Sequence, residues 1–367
     1  MEHEFTITIL KTLESFFAAK GKEIFEKSYF LQYINLKSRS VNRGSKSRGS
    51  FANLYAIYVL VEDYVNQNYD TTGTYTESDG AIFTKLLKRQ RELPFGSKLQ
   101  NHALNHRMNE EFRKFFRQCE FIPILRDIEK NRYWINENLL KIQIGAETFN
   151  IARAVINIID EYIRAKRDSF ESFIQTCEEL KTIEEKNDKS VEKFIVDLLA
   201  PNIDARLFEI VSFAILKYFY HDQVIYFGFS RDSIKELNLK LYKTGRTNAN
   251  DGGIDFVMKP LGRFFQVTET LDVKKYFLDI DKIERYPISF IIKSEQSIPV
   301  LLELLEDGAR NLYSVEAIVQ KYISCIEEII NIPVLKERFQ KAEEEGYLSS
   351  ILDEIIIQSK VEFNYEE

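Results

Sequence analysis

The stretch from Ile254 to Glu269 constrains the fold most. Ile254-Asp255-Phe256-Val257-Met258 and Phe264-Phe265-Gln266-Val267-Thr268 are two short runs rich in β-forming residues. Between them stands Lys259-Pro260-Leu261-Gly262-Arg263, whose proline and glycine suit a chain reversal. The pattern predicts a hairpin. Side chains alternate along a strand. Asp255 therefore points opposite to Ile254 and Phe256, Gln266 and Thr268 share one face, and Phe265 and Val267 share the other. If the apolar residues face the core, Asp255, Gln266 and Thr268 converge. An acidic residue facing a polar-x-polar pair on the next strand is the layout of a metal-dependent phosphodiesterase site.

The neighbouring elements follow from periodicity. Asp204 is placed to cap a helix over Ala205 to Tyr220, apolar nearly all round at Leu207, Phe208, Ile210, Val211, Phe213, Ala214, Ile215 and Leu216. Such a helix is buried, so Glu209 within it needs a partner or a metal. Pairing with a basic residue and binding a metal both stay open on burial alone. Gln223 to Phe229 reads as a strand, and 231–250 as a polar connection carrying Lys235, Lys240, Lys243 and Arg246. Asp272 to Tyr286 reads as an amphipathic helix, Ile288 to Ile292 as a buried strand, and Ser297 to Leu305 as another helix. The expected order is helix, three strands, helix, strand.

These residues resemble the core of the PD-(D/E)XK nucleases, the superfamily of most type II restriction endonucleases. Asp255 matches the first half-motif and Gln266-Val267-Thr268 the second. Gly245-Arg246-Thr247-Asn248-Ala249-Asn250-Asp251-Gly252-Gly253-Ile254-Asp255 is similar, more narrowly, to the HaeII-like restriction endonucleases. The resemblance covers about Asp204 to Glu295. It implies an αβββαβ core in an α+β chain, mostly helical with a small mixed sheet. It also implies a Mg2+ site with Asp255 as anchor, Glu209 as second ligand and Gln266 offering an amide oxygen. Asp251 is a further oxygen source. The chain departs from the family at Thr268, where the second half-motif ends in lysine. Lys274 or Lys275 on the following helix is expected to supply that charge, with Lys243 a further possibility. The partners so implied are double-stranded DNA, a second copy of the chain in a homodimer, and a companion DNA methyltransferase that protects host sites.

The 367 residues are enough for two domains or one large one. The expected divisions are a helical DNA-recognition region over 1–200, a catalytic core over 201–310 and a helical appendage over 311–367. Residues 1–36 read as helical. Lys37 to Ser50 then holds five positive charges and no acid, among serines and glycines. Arg39, Arg43, Lys46 and Arg48 are expected on DNA phosphates, with a solvated loop as the alternative. Ser50 is expected to cap a core helix from Phe51 to Val65. A second basic block contains Lys88, Arg89, Arg91, Lys98 and Asn101. Arginines and amides can read base edges, so this block is a candidate for base readout, a polar helix surface being equally compatible. Arg246, Asn248 and Asn250 join the DNA-contact candidates. His102 and His106 stand one helical turn apart, without an evident third zinc ligand. Glu110 to Lys193 reads as mostly helical.

Other classes lose support on composition. The net charge of −7 argues against a general polyanion binder. Cys119, Cys177 and Cys325 are three and widely spaced, neither a disulfide framework nor a zinc pattern, so a reducing cytoplasm is expected. No apolar run approaches a membrane span, and there is no G-x-G-x-x-G or Gly-Lys-Ser/Thr signature. Two other readings stay open. One is a DNA-binding protein that keeps the nuclease fold without catalysis. The other is a structure-selective repair nuclease.

Overall fold

The computed structural model describes every residue except Met1, 40–46, Lys98, 184–187, 245–253, Thr270 and 364–367. The chain is mixed α and β, mostly helical with small sheets. It divides into two compact units, Met1–Ser172 and Phe173–Glu367. No helix among the described residues is long and apolar enough to cross a membrane.

The first unit contains α1 (Glu4–Phe17), α2 (Gly21–Lys27), α3 (Tyr29–Ser38), α4 (Ser47–Asn66), the short α5 (Tyr69–Thr72), α6 (Phe83–Glu92) and α7 (Met108–Phe115). Its strands are β1 (Ala81–Ile82), β2 (Ile124–Asp127), β3 (Arg132–Ile135), β4 (Lys141–Ile144) and β5 (Glu147–Asn150). They form a sheet in the order β1-β3-β2 and a separate β4-β5 hairpin. α4 is the core helix the sequence predicts, with Leu54, Tyr55, Ile57, Leu60, Val61 and Tyr64 buried. It starts before the predicted boundary, so Ser50 lies inside it rather than at its cap. The stretch from Glu110 to Lys193 is helical over more than half its length, as expected, but four strands that the sequence reading did not foresee precede α8 (Ala152–Ile183), which runs on into the second unit.

The second unit continues with α9 (Asp188–Asp197), α10 (Ala205–Phe219), β6 (Val224–Phe227), β7 (Lys235–Asn238), β8 (Lys240–Lys243), β9 (Phe256–Lys259), β10 (Arg263–Thr268), α11 (Val273–Lys282) and β11 (Ile288–Ile292). It ends with α12 (Ile298–Leu312), α13 (Glu316–Ile323), β12 (Ile326–Ile330), α14 (Ile332–Glu344) and α15 (Leu348–Phe363). Five strands form the main sheet in the order β12-β11-β10-β9-β8. β8, β9 and β10 are antiparallel, while β10, β11 and β12 are parallel.

The hairpin of β9 and β10 is the one read from the sequence, with Phe265 opposite Phe256. Gly262 takes φ +68° in its turn, a backbone region that glycine enters freely. The first strand of the sheet differs from expectation. Gln223 to Phe229 does form a strand, β6, but it pairs with β7 in a separate hairpin. The strand that joins β9 is β8, inside the stretch read as a polar connection. The tail is more than an appendage, because β12 extends the sheet and α14 and α15 pack on α10.

Both faces of the sheet are covered. On one side, Phe256, Met258, Phe265, Ile291 and Ile330 share a core with Phe208, Val211, Ile215, Leu335 and Ile351. On the other, Ile288, Phe290 and Ile292 pack with Tyr276, Phe277, Leu301 and Tyr322. β11 is therefore buried at every position, which is why its sequence is a continuous apolar run. α12 lies very close to α11: a Cβ on Gly308 would stand 2.3 Å from Val273 Cγ2.

Candidate functional site

The site lies where β10 and β11 end and β9 begins. In open sheets with parallel strands, ligands bind beyond the carboxyl ends of those strands. Asp255 stands at the bend just before β9. Its N–H donates to Phe265 O at 2.9 Å, and its carbonyl accepts from Thr244 N at 3.0 Å. The backbone is thus held from both neighbouring strands. The side chain turns to β10, where Oδ2 accepts from Val267 N–H at 2.7 Å. Val267 lies past the last backbone pair of β10 with β9, so the carboxylate takes up a donor the ladder leaves over. Asp255 thus meets the backbone of the residue between Gln266 and Thr268.

Asp255 is only 9% exposed. Burial and the nearby Glu209 carboxylate raise its pKa to about 7, against the opposing pull of Val267 N–H, Lys243 and Lys275. Glu209 comes from α10, whose first turn Asp204 caps by accepting from Arg206 N–H at 2.7 Å. It does have a partner: Lys243, at the end of β8, lies 2.9 Å from Glu209 Oε1, with the two side chains 16% and 19% exposed. The basic partner weighed as an alternative is present, from the strand that the sequence hides.

Gln266 and Thr268 point to the α11 side of the sheet, as alternation requires. Both are buried, and Thr268 faces Tyr276 of α11. Gln266 Nε2 donates to Val267 O at 3.2 Å, while its buried Oε1 accepts no hydrogen bond. On α11, Lys275 attracts the Asp255 charge. Lys274 and Lys275 are both exposed.

Sequence reasoning missed Lys293, which follows β11. Its N–H donates to Thr268 O at 2.9 Å. Its side chain is 3% exposed, lies 3.0 Å from Glu269 Oε1 and donates to Ile203 O. The ammonium also sits 6.0 Å from the centre of the Phe208 ring, next to Glu209 on α10. Lys293 thereby ties the ends of β10 and β11 to the start of α10. A lysine closing an otherwise apolar strand was the signal.

The arrangement suits a hard cation. Two carboxylates, Asp255 and Glu209, lie close enough for one to raise the pKa of the other, whereas the buried amide oxygen of Gln266, which lacks a donor, is turned to the α11 side, away from α10 and Glu209. Oxygen donors of this kind hold Mg2+. The described residues contain no group of three His, Cys, Asp or Glu side chains set to hold a metal, and Asp251 lies outside them.

The DNA-contact candidates fare unevenly. Arg43, Lys46, Lys98, Arg246, Asn248 and Asn250 lie outside the described residues, and Arg48 stands in α4 without a described side chain. Arg39 is exposed at the end of α3. Lys88 is 81% exposed, with only a loose pairing to Glu92 at 3.9 Å. Arg89 is committed inside its unit, its fork donating to Glu62 at 2.8 and 2.7 Å. Arg91 Nε donates to Leu99 O at 3.1 Å, and Asn101 is half-buried. Comparison with known proteins finds no matching family model, no matching curated protein and no matching solved structure.

Proposed function

We propose that the chain is a type II restriction endonuclease, hydrolysing phosphodiester bonds at specific sites in double-stranded DNA with Mg2+. The observation that carries this reading is the pair of carboxylates, Asp255 and Glu209, beside the end of β8, the start of β9 and the end of β10. Their scaffold supports it, since α10, β8, β9, β10, α11 and β11 run in the αβββαβ order of the PD-(D/E)XK core, with β6 and β7 as an insertion.

Phosphodiester hydrolysis needs a positioned water and positive charge at the phosphate. Mg2+, when bound, supplies charge at the phosphate and a more acidic water. Asp255 and Glu209 would hold it. Lys275 adds positive charge from α11, and Thr268 offers a neutral hydroxyl in place of an ammonium. The first unit, with its basic segment 37–50, would bind the duplex and read the site. Two copies would cut the two strands of a two-fold site.

A second reading is favoured by one observation. Gln266 and Thr268 are both neutral, so a DNA-binding protein without catalysis remains compatible with the same scaffold. Digesting DNA of known sequence with Mg2+ and mapping the ends separates the two. Discrete fragments with a common end sequence support the restriction reading. Tight duplex binding with no new ends supports the other.

A further inference from the structure

We infer that Lys243 holds the divalent cation's place in the metal-free protein, as the cation of a site whose strand position 268 is neutral. The inference rests on Asp255 and Glu209 being the metal-binding pair. Among the described residues, four lysines stand near this end of the sheet. Lys274 and Lys275 are exposed on α11, and Lys275 attracts Asp255 from there. Lys293 is occupied by Glu269 and Ile203 O. Lys243 alone of the four meets one of the two carboxylates directly, 2.9 Å from Glu209, while also attracting Asp255. Its backbone is fixed by the pairing of Lys243 with Phe256. Its long stem leaves the ammonium free to swing, as a lysine allows and a metal ligand would not.

Charge balance favours exchange. Asp255 and Glu209 carry two negative charges when ionised, and Lys243 returns one, leaving the cluster one negative charge in a half-buried place. Buried charge without a counter-ion is costly. A divalent cation in the ammonium's place cancels the two carboxylates, and the displaced ammonium, kept nearby by its own strand, makes the net charge one positive. That matches the single negative charge of a phosphodiester. The ammonium displaced from Glu209 then supplies the positive charge that Thr268 cannot.

The test titrates Mg2+ alone into the full chain by calorimetry, without DNA. Removing a competing cation should tighten metal binding. Lys243→Gln keeps a donor for Glu209 and removes the charge, and Lys243→Met removes both. We expect each to bind Mg2+ about tenfold more tightly than the native chain, a difference of about 1.4 kcal/mol. Lys243→Arg should stay within about threefold of native, and Lys275→Gln should move affinity far less than Lys243→Gln. Should Lys243→Met fail to fold, Lys243→Gln alone decides. An affinity for Mg2+ unchanged or weakened in the folded Lys243 variants overturns the inference. Asp255→Asn is the control for the underlying site. If it leaves Mg2+ affinity unchanged, the metal pair itself is misassigned. If it abolishes binding while Lys243→Gln changes nothing, only the role of Lys243 falls.

Discussion

Asp255→Asn should make the protein more stable at alkaline pH while removing the proposed metal anchor. The structure gives both sign and size. The folded pKa of Asp255 is about 7, against the usual 3.8 expected for the unfolded chain. The folded state therefore holds this proton more tightly. The stability it contributes is fully present below about pH 4 and is lost as pH rises through about 7. About three pKa units at about 1.4 kcal/mol each set an upper figure of about 4 kcal/mol above that range. Asparagine keeps an oxygen for Val267 N–H and carries no charge to bury beside Glu209. At pH 8 the variant should gain on the order of 2–4 kcal/mol, and at pH 5 much less. Urea unfolding in EDTA at the two pH values measures this, with the native chain as reference so that other titrations cancel. Far-ultraviolet circular dichroism is the suitable signal, because the single tryptophan, Trp134, lies in the first unit. Adding Mg2+ should stabilise the native chain and not the variant. A variant less stable at pH 8, or an equal gain at both pH values, would refute the reasoning.

Three other outcomes are expected. Lys275→Ala should lower kcat clearly more than Lys274→Ala with little change in DNA affinity, since Lys275 attracts the Asp255 charge; equal turnover in both variants would remove α11 as a source of catalytic charge. Gly308→Ala should cost about 1–3 kcal/mol through the clash with Val273, read as a lowered Tm; an unchanged Tm would mean the two helices are looser than described. Replacing Arg43, Lys46 and Arg48 together by alanine should weaken specific and non-specific duplex binding alike. It should also flatten the salt dependence by up to about one slope unit per lost contact, whereas unchanged binding would leave segment 37–50 a solvated loop.

How much of this was legible in the sequence depends on where each strand sits. β9, β10 and β11 are interior to the sheet, so alternation or a continuous apolar run marks them. α10 is marked by Asp204 and its apolar surface. The two edge strands were hidden. β8 is Lys240-Leu241-Tyr242-Lys243, with only Leu241 buried, and β12 carries Glu327 and Glu328. Edge strands favour charge because it discourages further pairing, and that same charge reads as loop. Glu328 is also used, pairing with Arg263 of β10 at 2.6 Å and with Arg338 of α14. Missing β8 meant missing the position of Lys243, and so the partner of Glu209. The four-residue strands of the first unit were too short to show a period. That helices cover both faces of the main sheet, burying Gln266 and Thr268, is a matter of long-range docking that local pattern does not encode.

The central claim is that Asp255 anchors a Mg2+-dependent DNA cleavage site. The direct measurement compares the native chain with Asp255→Ala on DNA fragments of varied sequence, with Mg2+ and with EDTA, scoring cleavage and binding in parallel. The expected result is discrete double-strand cleavage by the native chain in Mg2+ alone. Asp255→Ala should bind the same fragments without cutting them. Cleavage by Asp255→Ala within about tenfold of native, a difference of no more than about 1.4 kcal/mol in the barrier, would contradict the claim.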